Sequence, residues 1–161
     1  MERLQVTERH TFFMKYYLAP KEGLTTYNFR TNWNRYYGGM DKYFTPFISN
    51  RHMNSRERND VLPEHNEGMY TVPQILTNKA EEFLSLAEQL AGYGYHEVNL
   101  NLGCPSGTVV ARNRGAGFLG TPRELETFLD EIFEKCPLEI SIKTRIGMEY
   151  PDEWAPLLKI Y

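Results

Sequence analysis

The sequence predicts an α/β fold in which strands and helices alternate five times around one parallel sheet. Short segments with apolar residues at every second position, such as 97–102, alternate with longer segments whose apolar residues recur at helical spacing, such as 79–92. This alternation implies parallel strands joined by right-handed helical crossovers. The chain has 161 residues, which is enough for one domain with its own core.

The predicted strands end at residues that disfavour further pairing. Pro20 follows the first strand and Pro105 follows the fourth, and a proline has no N–H to donate to a neighbouring strand. Pro73 falls inside the third strand, so we expect that strand to be bent or locally unpaired there. The predicted bounds are 16–19, 42–48, 69–76, 97–102 and 138–146.

The predicted helices carry recognisable start signals. Thr77 or Asn78 is expected to cap the second helix, and Thr121 followed by Pro122 is expected to begin the third. On the third helix the expected inward side chains are Leu125, Phe128, Leu129, Ile132 and Phe133. The predicted helices are 26–36, 79–92 and 122–135, with a last helical piece from 154 to 161.

Two polar segments stand outside this alternation. Residues 49–67 are rich in turn formers and predict a surface insertion with a short helix at 55–61. His52 and His65 lie in this insertion without ligand spacing, so we expect surface histidines and no metal site. Residues 1–13 are interpreted as a leader, and 14–161 as the N-terminal part of one α/β domain.

Composition excludes several classes of protein. No run approaches the roughly 18 apolar residues of a membrane span, and the polar N-terminus is unlike a secretory signal. The two cysteines, Cys104 and Cys136, are too few for a zinc ribbon or a disulfide framework, which favours a reduced, cytoplasmic setting. The net charge of −3 argues against a non-specific polyanion binder. It leaves room for a local basic patch formed by Arg112, Arg114 and Arg123.

Cys104 is presented at the end of the fourth strand. Gly103 allows unusual backbone angles, and Pro105 forbids further pairing, so the cysteine faces a loop where its side chain can reach a ligand. A cysteine needed only for packing would more often sit inside an apolar run. Pro20, Gln74 and Lys143 also lie at carboxyl ends of predicted strands, which places all four at one edge of the sheet.

The segment N-L-N-L-G-C-P-S, followed by G-A-G-F-L, resembles the signature of the tRNA-dihydrouridine synthases. Further segments agree in order: L-A-P with E-G-L-T near residue 20, V-P-Q-I at 72–75 and I-K-T-R-I-G at 142–147. The resemblance covers residues 14–161. It implies a flavin enzyme built on a (β/α)8 barrel of the TIM type, in which chemistry occurs at the carboxyl ends of the strands.

A complete barrel of this type takes about 250 residues, so the resemblance implies a barrel truncated to about five βα units. The absent part would carry a further histidine, the flavin-phosphate loops and a helical tRNA-binding domain. Two strand edges would be left unpaired, which predicts self-association.

The resemblance also implies a chemistry. FMN, reduced by NAD(P)H, would reduce the C5=C6 bond of a uridine in tRNA, and Cys104 would protonate C5. Cysteine thiols ordinarily titrate near pH 8.5, so a thiol holds its proton at neutral pH yet can release it. Lys143 would stabilise the anionic edge of reduced flavin, and Gln74 would hydrogen-bond the isoalloxazine ring.

The remaining site residues follow by the same resemblance. Pro20, Lys21 and Glu22 match the first flavin-contacting loop, but Lys21 stands where the family usually has an apolar residue, and its ammonium group needs a partner or an exit to water. Asn101 and Arg145 are expected near the flavin or the target base. The 112–114 loop, through Arg112 and Arg114, is expected to contact RNA phosphate.

Two alternatives remain open at this point. The chain could be another FMN-dependent barrel oxidoreductase that acts on a small molecule, as dihydroorotate dehydrogenases do. It could also be an inactive fragment or an interaction module. Neither NADH nor NADPH, nor a particular uridine position, is favoured by the sequence.

Overall fold

The computed structural model of the protein describes residues 14–161. It contains one five-stranded sheet in which every strand pairs in parallel with the next along the chain. The strands are β1 (Tyr17–Leu18), β2 (Lys42–Ile48), β3 (Thr71–Ile75), β4 (Glu97–Leu102) and β5 (Glu139–Thr144). The sequential order β1-β2-β3-β4-β5, with helical connections between strands, is that of a half-barrel, and it confirms the truncated (β/α) barrel. The leader prediction for residues 1–13 lies outside the described residues.

Helices follow the strands as the pattern predicts. Their bounds are α1 (Tyr27–Tyr36), α2 (Ser55–Val61), α3 (Ala80–Gly92), α4 (Gly107–Val110), α5 (Pro122–Lys135) and α6 (Trp154–Ile160), with 3-10 turns at Pro63–His65, Gly115–Gly120 and Pro151–Glu153. Within residues 14–161 no helix is long and apolar enough to cross a membrane.

The core lies between the outer face of the sheet and the helices α3 and α5. Val98, Leu100 and Leu102 alternate along β4 and are fully buried against this layer. The helices contribute Phe83, Leu86, Leu90, Leu125, Phe128, Leu129 and Ile132. The expected inward position of Phe133 is wrong: its side chain is 53% exposed, because it lies one residue past the buried stripe of α5.

The predicted cap of α3 also needs correction. The residue that precedes α3 is Lys79, which makes no side-chain capping bond. Thr77 lies two residues earlier, where its Oγ1 accepts a hydrogen bond from the N–H of Lys79 at 3.2 Å. Thr77 therefore does not cap α3, but its hydroxyl bonds the side chain of Glu82 in the first helical turn at 2.6 Å.

The gap in pairing predicted at Pro73 is confirmed, because Pro73 has no partner in the register with β2 or with β4, and β2 bulges opposite it. The register between β2 and β3 shifts between Phe44 and Phe47, so β2 carries one extra residue opposite Pro73. The N–H of Gln74 then bonds to the hydroxyl of Thr45 at 3.1 Å. A side-chain acceptor thus replaces a ladder bond beside the proline.

The insertion between β2 and β3 is held to α1 by a buried arginine. The guanidinium of Arg30 donates to the carbonyl of Thr25 at 2.6 Å and to the side chain of Asn66 at 2.9 Å. Burial lowers the pKa of Arg30 to about 10, which still leaves it charged at neutral pH beside Asp60. The predicted short helix in this insertion is α2, and a capping box between Asn54 and Glu57 begins it.

Candidate functional site

A cleft of about 250 Å³ opens at the carboxyl ends of β1 to β5. It brings together side chains from five separate segments of the chain. Its lining residues are Pro20, Lys21, Glu22, Phe47, Gln74, Asn101, Gly103, Cys104, Pro105 and Lys143. Every catalytic and cofactor-binding residue predicted from the sequence is in this set, and so is Asn101.

Cys104 is held in the cleft by bonds to the backbone on either side of it. The Oδ1 atom of Asn101 accepts the N–H groups of Gly103 at 3.1 Å and of Cys104 at 3.0 Å. The carbonyl of Cys104 accepts the N–H of Ala116 at 3.0 Å. The side chain of Cys104 is half-buried and free of any disulfide. The backbone of the loop is therefore fixed, and Cys104 is one of the residues that line the cleft.

Gly115 lets the following turn approach this loop closely. Its φ is +56°, a left-handed conformation that favours glycine. A Cβ atom at this position would lie 2.8 Å from the carbonyl oxygen of Cys104 and 2.9 Å from a methyl group of Val109. The glycine-rich segment thus forms a turn, as the sequence predicts, and Phe118 and Leu119 are buried behind it.

Polar side chains occupy the inner face of the sheet behind Cys104. Gln74 on β3 and Asn99 and Asn101 on β4 are all buried, with exposed fractions of 1%, 2% and 8%. The Nε2 of Gln74 lies 2.7 Å from Asn99 Oδ1, and Asn101 Nδ2 lies 2.9 Å from Gln74 Oε1. Asn99 Nδ2 reaches the hydroxyl of Ser141 on β5 at 2.9 Å. The buried amides therefore satisfy one another.

Two lysines bring positive charge to the cleft. Lys143 pairs in register with Asn101, so the two side chains share the inner face, and Lys143 is exposed. Neither Lys143 nor Lys21 forms an ion pair with any carboxylate in the part of the chain that is described. The exposed position of Lys21 gives its ammonium group the exit to water that its chemistry requires. Its neighbour Glu22 pairs with Arg56 at 2.8 Å.

A clamp beside the cleft ties the Cys104 loop to its neighbours. Arg114 donates to the carbonyl of Ser49 at 3.1 Å and to Glu82 at 3.0 Å. Burial opposes the ionisation of Glu82, but hydrogen bonds from Thr77 and Lys79 and the charge of Arg114 outweigh it and lower its pKa. The guanidinium of Arg114 thus already has two protein partners.

The other predicted RNA contacts are not engaged in this way. Arg112 and Arg145 have exposed side chains. The backbone of Arg112 donates its N–H to the carbonyl of Val109 at 3.1 Å and accepts from the side chain of Asn78 at 3.3 Å. Arg145 packs beside Gly103, whose Cβ would lie 3.6 Å from its Cγ. The roles assigned to Asn101, Arg112, Arg114 and Arg145 stay predictions.

No group of histidine, cysteine or acidic residues within 14–161 is arranged to hold a metal ion. His65 instead stacks on Tyr27 at 4.1 Å and contacts the carbonyl of Asn59 at 2.7 Å. The second cysteine, Cys136, lies between α5 and β5, at the opposite end of the sheet from the cleft. Burial raises the pKa of its thiol.

The sequence analysis did not identify three residues that bond the polar groups of the site, namely Thr45, Asn99 and Ser141. A signal was present for one of them, because Asn99 and Asn101 put two amides on the same face of an otherwise apolar strand. Thr45 and Ser141 carried no such signal, since single hydroxyl residues are common in strands.

Comparison with known proteins agrees with this geometry. A family model described as dihydrouridine synthase (Dus) matches residues 17–160. A "probable tRNA-dihydrouridine synthase" of Staphylococcus aureus is 33% identical over 88 residues, which is 55% of this chain and 26% of that protein. A tRNA-dihydrouridine(20/20a) synthase of Shewanella oneidensis is 31% identical over 97 residues, 60% of this chain and 29% of the relative. The matched segments thus cover less than a third of the length of these curated relatives. From its fold and this match, the chain belongs to the dihydrouridine synthase family.

Proposed function

We propose that this chain provides the thiol and part of the flavin cleft of a tRNA-dihydrouridine synthase, which reduces the C5=C6 bond of a uridine in tRNA. The supporting observation is that one cleft unites Cys104, Gln74, Asn101 and Lys143 at the carboxyl ends of the strands. In barrels of this type, that rim carries the chemistry. The tRNA substrate comes to this chain from its relatives and implies a cytoplasmic location.

The donor set of the cleft suits FMN. A flavin ring has a flat apolar body and an edge of carbonyl and N–H groups that becomes anionic on reduction. Phe47 and Pro20 supply apolar surface, Gln74 supplies an amide with both a donor and an acceptor, and Lys143 supplies a cation without a carboxylate partner in the described chain. Pro20, Lys21, Glu22, Gln74 and Lys143 are the residues that would hold it. When bound and reduced by NAD(P)H, FMN supplies a hydride to one carbon of the C5=C6 bond.

The proton for the other carbon comes from this chain. We assign it to the Sγ of Cys104, which would release a proton to C5 as the double bond is lost, so that a hydride and a proton together add one molecule of hydrogen. The resulting thiolate must then regain a proton from water. The neighbouring residues Pro105 and Ser106 are exposed, which gives solvent a route to the loop.

The chain's other groups would position the RNA. Arg112 and Arg145 are exposed cations in the segments that follow β4 and β5 and can meet phosphate, whereas Arg114 would act through the loop that it clamps. A target base has to leave its stack to reach the cleft.

Deletion of the gene and complementation test this proposal. We expect tRNA from the deletion strain to lose dihydrouridine at one or more positions, measured by mass spectrometry of nucleosides. The wild-type gene should restore it. Cys104→Ala should not, because a general acid of this kind contributes about 10²–10⁴-fold to the rate.

Cys136→Ala is the matched control, since it removes the other thiol at the opposite end of the sheet. It should restore dihydrouridine fully. Unchanged dihydrouridine in the deletion strain would refute the tRNA substrate and favour a small-molecule oxidoreductase or an inactive module. Restoration by Cys104→Ala would remove the thiol from the acid role.

A further inference from the structure

Three buried amide side chains and the half-buried hydroxyl of Ser141 form one continuous series of hydrogen bonds with the Cys104 loop. It runs from the backbone of the Cys104 loop to Asn101, then to Gln74, then to Asn99, and ends at Ser141 on β5. Each link is between 2.7 and 3.0 Å long. We call this series the amide relay. It spans three adjacent strands on the inner face of the sheet.

The direction of the amide relay follows from its first link. The N–H groups of Gly103 and Cys104 can only donate, so the atom of Asn101 that faces them must be its oxygen. The NH₂ group of Asn101 must then face Gln74 and donate to its Oε1. This leaves the Nε2 of Gln74 to donate to Asn99 Oδ1, and Asn99 Nδ2 to donate to Ser141 Oγ. Two backbone donors therefore fix the orientation of every amide in the series.

Burial makes a reversed amide unfavourable. Turning over Gln74 alone would place its oxygen against the oxygen of Asn99 and its NH₂ group against that of Asn101, in a site where both residues are at most 8% exposed. Buried polar groups left without partners are costly, because no water replaces the lost bonds.

We propose that the amide relay sets which atoms Gln74 offers to the cleft, and that Asn99 is a positioning residue that acts through Gln74. After its two bonds in the relay, Gln74 retains one Nε2–H and one lone pair of Oε1. Their placement is dictated by the Cys104 loop, so the backbone of that loop and the glutamine amide are positioned by the same residue, Asn101. This inference deepens the proposed function and rests on it only for the identity of the ligand.

The direct test is nuclear magnetic resonance on the chain without flavin. In the wild type we expect a scalar coupling across the hydrogen bond from Gln74 Nε2 to the side-chain carbonyl carbon of Asn99. A coupling in the opposite sense, from Asn99 Nδ2 to the carbonyl carbon of Gln74, would overturn the assigned direction.

Asn101→Asp should reverse the whole series. An aspartate still accepts from the two backbone N–H groups, but its second oxygen now faces Gln74, which must turn its NH₂ group toward it. Asn99 must turn in response, and the Ser141 hydroxyl must change from acceptor to donor. We expect the coupling to reverse between Gln74 and Asn99. An unchanged coupling would refute the relay and leave only local pairs.

Ser141→Ala tests transmission along the series, because Ser141 is bonded to Asn99 and not to Gln74. We expect it to broaden or split the Gln74 Nε2 resonance, and Ser141→Thr, which keeps the hydroxyl, to restore it. An equal effect of both variants would show a packing role only.

A titration with FMN tests this inference separately from the proposed function. Asn99→Leu should weaken FMN binding about tenfold, as loss of one hydrogen bond between polar groups in a buried site does. If deletion of the gene leaves dihydrouridine unchanged while the coupling is present, the proposed function fails and the relay stands. If FMN binds equally well to wild type and Asn99→Leu, the positioning role of Asn99 is refuted.

Discussion

The two ends of the half-barrel each carry a lysine on a strand, but only one of them is engaged by the protein. At the amino end, Lys42 of β2 lies 2.5 Å from Glu97 of β4, which also accepts from Tyr70 at 3.2 Å. The ammonium group of Lys42 lies 5.6 and 5.2 Å from the ring centres of Tyr17 and Tyr70. At the carboxyl end, Lys143 of β5 is exposed and has no carboxylate partner among residues 14–161.

This difference separates charge used for folding from charge left free for a ligand. The hydrogen bond to Glu97 raises the pKa of Lys42, so the folded state favours the charged form of that lysine. Its contribution to stability is present below the ordinary lysine pKa and is lost as pH rises through the raised folded value. The carboxyl end instead combines a rigid frame, built from the amide relay and the turn at Gly115, with side chains that this frame leaves unpaired.

Gly115→Ala should give the largest effect, because it breaks that frame. The new Cβ would lie 2.8 Å from the carbonyl oxygen of Cys104, and alanine would have to adopt a φ of +56°. Strain and overlap together should lower the free energy of unfolding by about 4 kcal/mol. Urea denaturation measures it. Gly107→Ala, in the same loop but with nothing within 4 Å of its Cβ, should stay within about 1 kcal/mol of wild type. Similar losses in both variants would contradict the close approach.

Lys42→Met should give the next largest effect, at the amino end. The side chain of Glu97 is only 4% exposed, so removal of the lysine strands a buried carboxylate. Breaking a buried pair in this way costs about 3 kcal/mol. Glu97→Gln should cost less, about 1 kcal/mol, because the Lys42 side chain is 25% exposed and can reach water. Equal costs for the two variants, measured by the same denaturation, would show that burial does not control the pair.

The contrast between the two lysines could not be predicted from the sequence. Both lysines lie in segments whose pattern predicts a strand, and the partner of Lys42 lies 55 residues away along the chain. A local pattern reports which face a residue takes but not which distant group meets it. Proximity of the site residues was predictable, since the carboxyl ends of parallel strands share one edge and the cysteine motif marked that edge.

The interior bonds were beyond sequence reasoning for a related reason. Thr45 bonds the N–H of Gln74 only because β2 bulges opposite Pro73, and a bulge depends on how two strands register. Arg114 was expected to meet RNA as one of a basic cluster, yet Glu82, 32 residues earlier, now pairs with it. The bounds of the helices were easier to predict, and the corrections concern the cap of α3 and the exposed side chain of Phe133 on α5.

Glu82→Gln should produce a smaller change that depends on pH. The pKa of Glu82 is lowered in the folded state, so its stabilising contribution is present above the ordinary glutamate pKa and is lost as pH falls through the lowered value. We expect the variant to be about 1 kcal/mol less stable at pH 7, and the difference to vanish at acid pH. Burial raises the pKa of Asp60, so the effect of pH on its contribution to stability is opposite to that of Glu82. The contribution of Glu82 is therefore measured as the difference in stability between the variant and the wild type at each pH.

Glu126→Gln, at an exposed position of α5, is the control for this measurement. It should match wild type at both pH values. A stability difference for Glu82→Gln that persists unchanged at acid pH would mean that the Arg114 clamp does not depend on the carboxylate charge.

Lys143→Met should have the smallest effect on folding, and that is what makes it informative. An exposed lysine without an ion pair in the described chain leaves no group stranded when it is removed, so we expect a change of less than about 0.5 kcal/mol in the free energy of unfolding. Its loss should instead weaken FMN binding about tenfold, measured by fluorescence titration, because a hydrogen bond to a charged group contributes about 1.5–3 kcal/mol.

Lys159→Met, on α6, is the control and should change neither the free energy of unfolding nor the FMN affinity. Destabilisation of the size expected for Lys42→Met would place Lys143 in the fold, and unchanged FMN affinity would remove it from the flavin cleft. Either result would erase the difference between the two ends of the half-barrel.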